Sequence, residues 1–310
     1  MEILNLEKIV DLPCGENIQQ SASVYKNNKM VNYEILNEKE LDYNDLVDLT
    51  EVLNVISEFF DVNCVVFVNF AKICGVALGS SLFQAYTKAF DCDPISSFYG
   101  VIGFSKTVDI EIAKHINSMA IKTIIAPNFD KDALEILKQN SSIKIVKLIT
   151  DLKDYKKLQI DEIKVTPFGT IIQDKNNSEL EKETFSVVTK LKPTPEQIED
   201  AVFAWKISKY TKTNSVVIAK DFKTSAITQG FTNPISATEF ALNYSCDNSK
   251  EAILACDFTI QSEECVLSAV QGRIGLIIQT GGSIKDKKLI ELCDKYGIAM
   301  ITTAVRNYRY

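Results

Sequence analysis

The chain alternates between segments with helical and with strand-like spacing of apolar residues. In residues 44–59, Leu46, Leu49, Leu53 and Ile56 recur at intervals that place them on one face of a helix. A short run of apolar and β-branched residues follows, as expected for a buried strand. The pattern therefore predicts a helix that leads directly into a strand.

The same succession returns in the second half of the chain. Residues 194–210 have helical apolar spacing, and the start of the helix is well marked. Thr194 can act as the N-cap, Pro195 suits the first turn, and Gln197 completes a capping box. We expect this helix to begin at Thr194 and to lead into a second buried strand.

The strands after the two helices also resemble each other. The segment Val65–Gly79 and the segment Val216–Gly230 begin 151 residues apart and end 151 residues apart. Both start with a β-branched run and end on glycine, and they have a lysine at matching places, Lys72 and Lys223. This spacing predicts an internal duplication. The alternative is a chance match, because helix–strand successions are common in α/β proteins.

The later elements repeat as strand, helix and strand. Residues 122–127, 132–138 and 144–149 show this order, and residues 276–280, 285–296 and 298–303 show it again. We therefore expect an α/β fold of two tandem halves, residues 1–192 with an N-terminal arm and residues 193–310, joined near Leu191–Pro193. The stretch 152–183 is polar and strand-like, with a turn expected at 174–177.

Composition and charge narrow the range of possible functions. With 46% hydrophobic and 24% charged residues the chain is of globular type. Its net charge of −7 and the lack of a basic cluster argue against nucleic-acid binding. No apolar run of membrane-spanning length and no signal-peptide pattern occur. Eight cysteines without a CxxC pair indicate reduced thiols in a cytoplasmic protein, and a single histidine, His115, predicts no metal site.

Several ordered segments together resemble one family. The segment Pro195–Asp221 has the pattern FAWK followed by NSVVIAKD, and Asp93–Phe104 reads DPISSFYGVIGF. Shorter matches are Gly15–Asn17, Glu40–Asp48, Cys74–Gly79, Gln279–Ser283 and Arg306–Tyr310. Taken in their order along the chain, the segments resemble the AICAR transformylases of purine biosynthesis.

The resemblance implies a fold and an activity. Members of that family have two cytidine-deaminase-like halves and form intertwined homodimers with sites at the interface. They transfer a formyl group from 10-formyltetrahydrofolate to the amino group of the purine nucleotide AICAR, without a metal. An AICAR-like purine nucleotide is thus the expected ligand. The cyclohydrolase domain that usually accompanies the transformylase is not seen in this sequence.

Key positions depart from the family pattern. The family's adjacent Lys-His pair corresponds to Asn69 and Phe70, and its phosphate-binding Arg corresponds to Pro13. Neither Asn nor Phe can exchange a proton near neutral pH, and Pro cannot clamp a phosphate as Arg does. Tyr99 stands where the family has glycine. Lys72 is a candidate replacement for the lost lysine, although a solvated surface lysine is the alternative.

The remaining candidates match family positions. We expect Asn214, Asn69 and Lys72 to act in catalysis and a second set to bind substrate: Asn17, Ser96, Lys212, Lys220, Gly281, Gly282 and Arg306. Each has a structural alternative, such as a cap for Asn214, a turn for the glycine pair and a surface ion pair for Arg306. Three hypotheses remain open: an active transformylase, a non-catalytic binding or regulatory relative, and an enzyme with a changed nucleotide-like substrate.

Overall fold

The computed structural model describes residues 7–27, 29–158, 160–180 and 185–310, in which helices and strands alternate. The strands are β1 (Glu7–Leu12), β2 (Ala22–Lys26), β3 (Tyr33–Ile35), β4 (Asn63–Asn69), β5 (Lys72–Gly79), β6 (Val101–Phe104), β7 (Thr123–Ala126), β8 (Lys144–Leu148), β9 (Glu162–Thr166), β10 (Gly169–Gln173), β11 (Ser186–Val187), β12 (Val216–Lys220), β13 (Lys223–Thr228), β14 (Ile253–Cys256), β15 (Leu276–Gln279) and β16 (Ala299–Thr302). The helices are α1 (Tyr43–Ile56), α2 (Leu82–Phe90), α3 (Pro94–Ser97), α4 (Ile110–Asn117), α5 (Lys131–Gln139), α6 (Leu152–Lys157), α7 (Pro195–Ser208), α8 (Pro234–Ser245), α9 (Glu263–Gln271) and α10 (Asp286–Tyr296).

Within these residues, twelve strands form one mixed sheet, which confirms the predicted α/β class. Their order is β11–β16–β15–β14–β12–β13–β5–β4–β6–β7–β8–β3. The triplets β6–β7–β8 and β14–β15–β16 are parallel, and the other neighbours are antiparallel. The succession of strands outward from the β13–β5 seam is therefore alike on both sides. The short strands β3 and β11 cover the two outer parallel strands, β8 and β16.

Helices cover both faces of the sheet. One apolar core lies under α1 and α7 and runs across the whole sheet, with Val52 and Ile56 at one end and Phe203 and Trp205 at the other. On the opposite face, one core lies under α2, α4 and α5, and a separate one lies under α8, α9 and α10. The face with α1 and α7 thus joins the two parts of the chain.

The local helix signals predict the structure well. Thr194 accepts a hydrogen bond from the amide of Gln197, and the Gln197 side chain accepts one from the amide of Thr194, which confirms the predicted capping box of α7. Helix α1 has a comparable box made by Asp42 and Asp45. Both boxes satisfy amides that a helix leaves without partners in its first turn.

The segment 152–183 differs from its prediction. It begins with helix α6, and its strands β9 and β10 form a separate hairpin. The turn lies at Pro167–Phe168 and not at residues 174–177, which have no regular structure. The reason is Gly169, whose φ of +131° is a conformation that favours glycine and lets β10 begin directly after the turn.

The two edges at the strand ends are the places where loops cluster. At one edge, here called the Asn69 edge, β4 ends at Asn69, β5 begins at Lys72 and β13 ends at Thr228. At the other, here called the Gly79 edge, β5 ends at Gly79 and β12 ends at Lys220. Because β5 and β13 are antiparallel neighbours, each edge receives loops from both parts of the chain.

All eight cysteines are free, and six of them are buried. His115 is exposed on α4 and its ring packs 4.8 Å from that of Phe83, as expected for a helix-face residue. No described helix combines the length and the apolar character that crossing a bilayer would require.

Candidate functional site

A cavity of about 500 Å³ opens at the Asn69 edge, between the two parts of the chain. We call it the junction cavity. It is lined by the β4–β5 turn with Asn69 and Lys72, by α3 with Ser96, by the end of β13 with Gln229, and by α8 with Tyr244. Its volume suits a small organic ligand. Three residues predicted from the sequence, Asn69, Lys72 and Ser96, therefore lie together.

Asn69 holds the wall of this cavity. Its Nδ2 donates to the carbonyl oxygen of Ser96 at 2.9 Å and to that of Phe98 at 3.2 Å. These two bonds tie the end of β4 to the loop that contains α3. Both donors of the side-chain amide are thus engaged with the main chain, and only its oxygen is left for a ligand.

Lys72 and Ser96 present different groups to the cavity. Lys72 is exposed, and no described carboxylate lies within 4.0 Å of its Nζ. Its ammonium is therefore available for an anion or for a developing negative charge. Ser96 follows Asp93, the N-cap of α3, whose Oδ1 accepts from the Ser96 amide at 2.9 Å. This cap fixes the main chain that Asn69 binds.

Two thiols and a phenol in the cavity wall are poorly suited to proton exchange near neutral pH. Burial raises the pKa of Cys74 and that of Cys92 to about 12. Burial, together with the nearby Asp93 carboxyl, raises the pKa of Tyr244. All three groups are therefore neutral at physiological pH and can act as hydrogen-bond partners.

Asn214 lies at the Asn69 edge, but it does not line the junction cavity itself. Its Nδ2 donates to the carbonyl oxygen of Phe231 at 2.9 Å, and their main chains exchange two further bonds. The Phe231 ring packs 5.6 Å from that of Phe240, which lines the cavity. Asn214 thus supports the cavity through a pair of aromatic rings.

A buried carboxylate organises the segment around Asn214. Asp257 accepts from the Thr213 hydroxyl and, at 2.8 Å, from the Ser215 amide, so it holds the residues on both sides of Asn214. Asp257 is fully buried, and burial raises its pKa even though these hydrogen bonds act in the opposite direction. The carboxylate fixes the geometry at the start of β12.

Four more predicted positions lie at this edge, in the second half of the chain. Lys212 is exposed, and its carbonyl oxygen accepts from the amide of Gly230. Gly281 and Gly282 both have positive φ, and a Cβ on Gly281 would lie 2.9 Å from the Cβ of Thr302. Arg306 is exposed, with its guanidinium 4.7 Å from the centre of the Tyr308 ring. They surround the ends of β14, β15 and β16 and do not line the junction cavity.

Two predicted residues lie elsewhere. Asn17 is exposed in the loop between β1 and β2, where its side chain binds Gln20 and the loop contacts Asn44 at the start of α1. Lys220 lies at the Gly79 edge, where its Nζ is 3.4 Å from Glu251. The structure therefore separates Lys220 from the other candidates.

Sequence reasoning missed several residues of the cavity. Gln229 donates from Nε2 to the carbonyl oxygen of Ile73 at 2.9 Å and so links β13 to β5. Tyr244 and Asp257 were not singled out either. Gln229 lies next to the terminal glycine of the second repeat segment, and this position was a usable signal. Nothing local in the sequence marks Tyr244.

Comparison with known proteins finds related sequences over the whole chain. A model of the AICARFT/IMPCHase bienzyme family matches residues 2–244. The bifunctional purine biosynthesis protein PurH of Acetivibrio thermocellus is 37% identical over 312 residues, covering 99% of this chain and 60% of that protein. PurH of Clostridioides difficile is 39% identical over 318 residues, covering 100% of this chain and 61% of that protein. The chain thus spans about three fifths of the length of these curated relatives.

Proposed function

We propose that this chain, which belongs to the AICARFT/IMPCHase bienzyme family, acts in purine nucleotide biosynthesis and transfers a formyl group from 10-formyltetrahydrofolate to AICAR or a closely similar purine nucleotide. The observation that carries the proposal is the junction cavity. It places Lys72, Asn69 and Ser96 around one space of about 500 Å³, formed by both parts of the chain.

The reaction defines what the cavity has to do. The amine of the nucleotide attacks the formyl carbon and forms a C–N bond, and the carbonyl oxygen becomes an oxyanion. The bond between the formyl carbon and the folate nitrogen then breaks, while the amine loses a proton and the folate nitrogen gains one. The Lys72 ammonium is the cation available to stabilise the oxyanion, and the Asn69 oxygen can accept a hydrogen bond from the attacking amine.

The hydrogen-bonded Asn69 amide and the neutral thiols of the cavity wall favour a second function. Both Asn69 donors are used by the main chain, and the two thiols of the wall have pKa values of about 12. A cavity with this lining binds a ligand more readily than it moves protons, because a positioned acid–base group contributes about 10²- to 10⁴-fold in rate. The alternative proposal is a protein that binds the nucleotide or the folate without turnover, as a binding or regulatory partner. An enzyme that acts on a changed nucleotide-like substrate is the remaining alternative.

One experiment separates the two functions. The protein is mixed with AICAR and 10-formyltetrahydrofolate, and release of tetrahydrofolate is followed. Lys72→Met should reduce turnover by about 10²-fold, since the charge opposite the oxyanion is lost. Lys114→Met, an exposed lysine on α4, is the matched control. No turnover, together with calorimetric binding of AICAR or folate that Lys72→Met weakens, would support the binding function instead. Neither turnover nor binding would exclude both.

We also infer that the fold arose from an internal duplication of a cytidine-deaminase-like unit, with residues 1–192 and 193–310 as its two halves. The turns support this inference. Asp48 of α1 accepts from the Ala71 amide in the β4–β5 turn, and Asp200 of α7 accepts from Asp221 and Phe222 in the β12–β13 turn. In both turns the two central residues have positive φ. Equivalent carboxylates therefore hold equivalent turns.

A homodimer is the third part of the proposal. The β9–β10 hairpin projects apolar side chains into solvent, with Val165 84% exposed and Phe168 fully exposed. Exposed apolar clusters of this kind are typical of contact surfaces. Light scattering should give twice the chain mass for the wild type and a lower mass for Val165→Asp/Phe168→Asp. A monomeric wild type would contradict this part of the proposal and leave the formyl-transfer test unaffected.

A further inference from the structure

The junction cavity lies where the two central strands of the sheet, β5 and β13, move apart. These strands share one pair of facing residues, Ala77 and Lys223, although both run on toward the Asn69 edge. One position farther, the Thr224 hydroxyl takes the place of main-chain pairing, because it bonds the amide and the carbonyl oxygen of Val76 at 2.9 and 3.0 Å. Regular pairing between the two strands therefore ends at Thr224.

A β-bulge in each strand accounts for the separation. Against β4, the register shifts by one residue at Cys74 of β5, and against β12 it shifts by one residue at Ser225 of β13. A bulge bends its strand and interrupts the ladder locally. The two bulges lie at nearly the same level of the sheet, so they turn β5 and β13 apart on the way to the Asn69 edge.

The residues around the cavity show that it extends between the two strands. Cys74 packs in the core under α2, α4 and α5, whereas its neighbour Ile73 packs in the core under α1 and α7. Ala226 and Ile227 of β13 likewise face opposite sides of the sheet. All four residues line the junction cavity. Because neighbouring residues of a strand point to opposite faces, a cavity that both reach must enter the gap between β5 and β13.

One side chain crosses this gap. Gln229, which directly follows β13, donates from Nε2 to the carbonyl oxygen of Ile73 at 2.9 Å. Ile73 is held in the ladder with β4, and Thr228, next to Gln229, is held in the ladder with β12. In the described part of the chain, no other hydrogen bond joins β5 to β13 beyond Thr224. The width of the gap therefore depends on Gln229.

We propose that Gln229 is a positioning residue, which sets the width of the gap and thereby places Lys72 against the ligand. Lys72 begins β5 and directly precedes Ile73, the residue that Gln229 binds. The role of Lys72 at the oxyanion rests on the proposed function, whereas the bridging of the gap does not. A displacement of about 1 Å at a reacting centre can reduce the rate by about 10²-fold, so a single bridging contact is enough to affect turnover.

A double-mutant cycle tests the link to Lys72. Gln229→Met keeps the approximate length of the side chain and removes the donor, so it should lower kcat by roughly tenfold with little change in KM. If Gln229 acts through Lys72, the variant Lys72→Met/Gln229→Met should be no slower than Lys72→Met alone. The matched control is Gln84→Met. Gln84 accepts from the Ser80 amide at 2.9 Å near the Gly79 edge, and its loss should leave kcat unchanged.

Thiol labelling tests the bridging without any turnover. Cys74 and Cys92 line the cavity and are buried, so Gln229→Met should speed their reaction with a thiol reagent severalfold, followed for each cysteine by mass spectrometry. Cys64 and Cys293 are buried outside the cavity and should react at the wild-type rate. They report on opening of the whole fold, which separates a local change from general destabilisation.

The outcomes distinguish this inference from the proposed function. The inference is overturned if Cys74 and Cys92 of Gln229→Met react at the wild-type rate, or if all four thiols become faster together. It is also overturned if the kinetic losses of Lys72→Met and Gln229→Met multiply in the double variant. A wild type without turnover would refute formyl transfer and with it the placing of Lys72, and the labelling rates would then decide the bridging alone.

Discussion

Replacing Asn69 by alanine tests whether this residue builds the junction cavity or acts on a ligand. The substitution removes the two hydrogen bonds from Nδ2 to the carbonyl oxygens of Ser96 and Phe98. A hydrogen bond of this kind contributes about 0.5 to 1.5 kcal/mol net, so Asn69→Ala should lower the free energy of unfolding by about 1 to 3 kcal/mol. In a chain of this size, that corresponds to a fall in Tm of about 2 to 6 °C.

The strand itself offers a matched control. Asn63, at the other end of β4, also donates from Nδ2 to two main-chain carbonyls, at 3.4 Å to Gly79 and 3.1 Å to Ser80. Asn63→Ala should cost a similar amount of stability and leave ligand binding unchanged. Unfolding can be followed by the fluorescence of Trp205, the single tryptophan, which is buried in the core shared by α1 and α7.

The two measurements together decide the role of Asn69. If it positions the α3 loop, Asn69→Ala should lose both stability and affinity for AICAR, and Asn63→Ala should lose only stability. Unchanged stability with a large loss of turnover would refute this reasoning, because the side chain would then act on the reacting atoms and not on the loop.

Three further predictions concern stability and reactivity. Glu58 is buried; burial raises its pKa, but the contacts with two lysines and Tyr210 outweigh it and hold the pKa below 4.5. The stabilisation by the ionised Glu58 is therefore complete above the unfolded-state pKa and is lost as the pH falls through the folded-state pKa. In urea titrations below pH 5, the free energy of unfolding of Glu58→Gln should therefore fall less steeply with decreasing pH than that of the wild type. Gly75→Ala should destabilise the protein by about 1 to 3 kcal/mol in the same titrations, because its Cβ would lie 2.1 Å from the carbonyl oxygen of Ala89; a wild-type midpoint would contradict this packing. A thiol reagent should label the exposed Cys246 before any buried cysteine, and Cys246→Ser should remove that fast phase.

Local signals in the sequence predicted the elements because the interactions behind them are local. The capping box at Thr194 joins residues three positions apart, and it is present in the structure. The polar run at 174–177 predicts a turn there, whereas the turn of the β9–β10 hairpin is at Pro167–Phe168, because the backbone conformation is decided by a single glycine, Gly169.

The site was harder to predict because it depends on which edge of the sheet a residue reaches. Asn214 and Lys220 belong to one motif in the sequence, but they stand before and at the end of β12, about 20 Å apart. Tyr244 is distant from Asp93 in the sequence, yet both residues line the same cavity. Such partners become visible only when the strand order is known.

The two short outer strands have a consequence for how copies of this protein can meet. In the described part of the chain, β3 and β11 have three and two residues, so the last open edge on either side of the sheet is too short to template a long strand from another molecule. Sheets with long open edges tend to extend from molecule to molecule and aggregate. Here such growth of the twelve-stranded sheet is blocked on both sides.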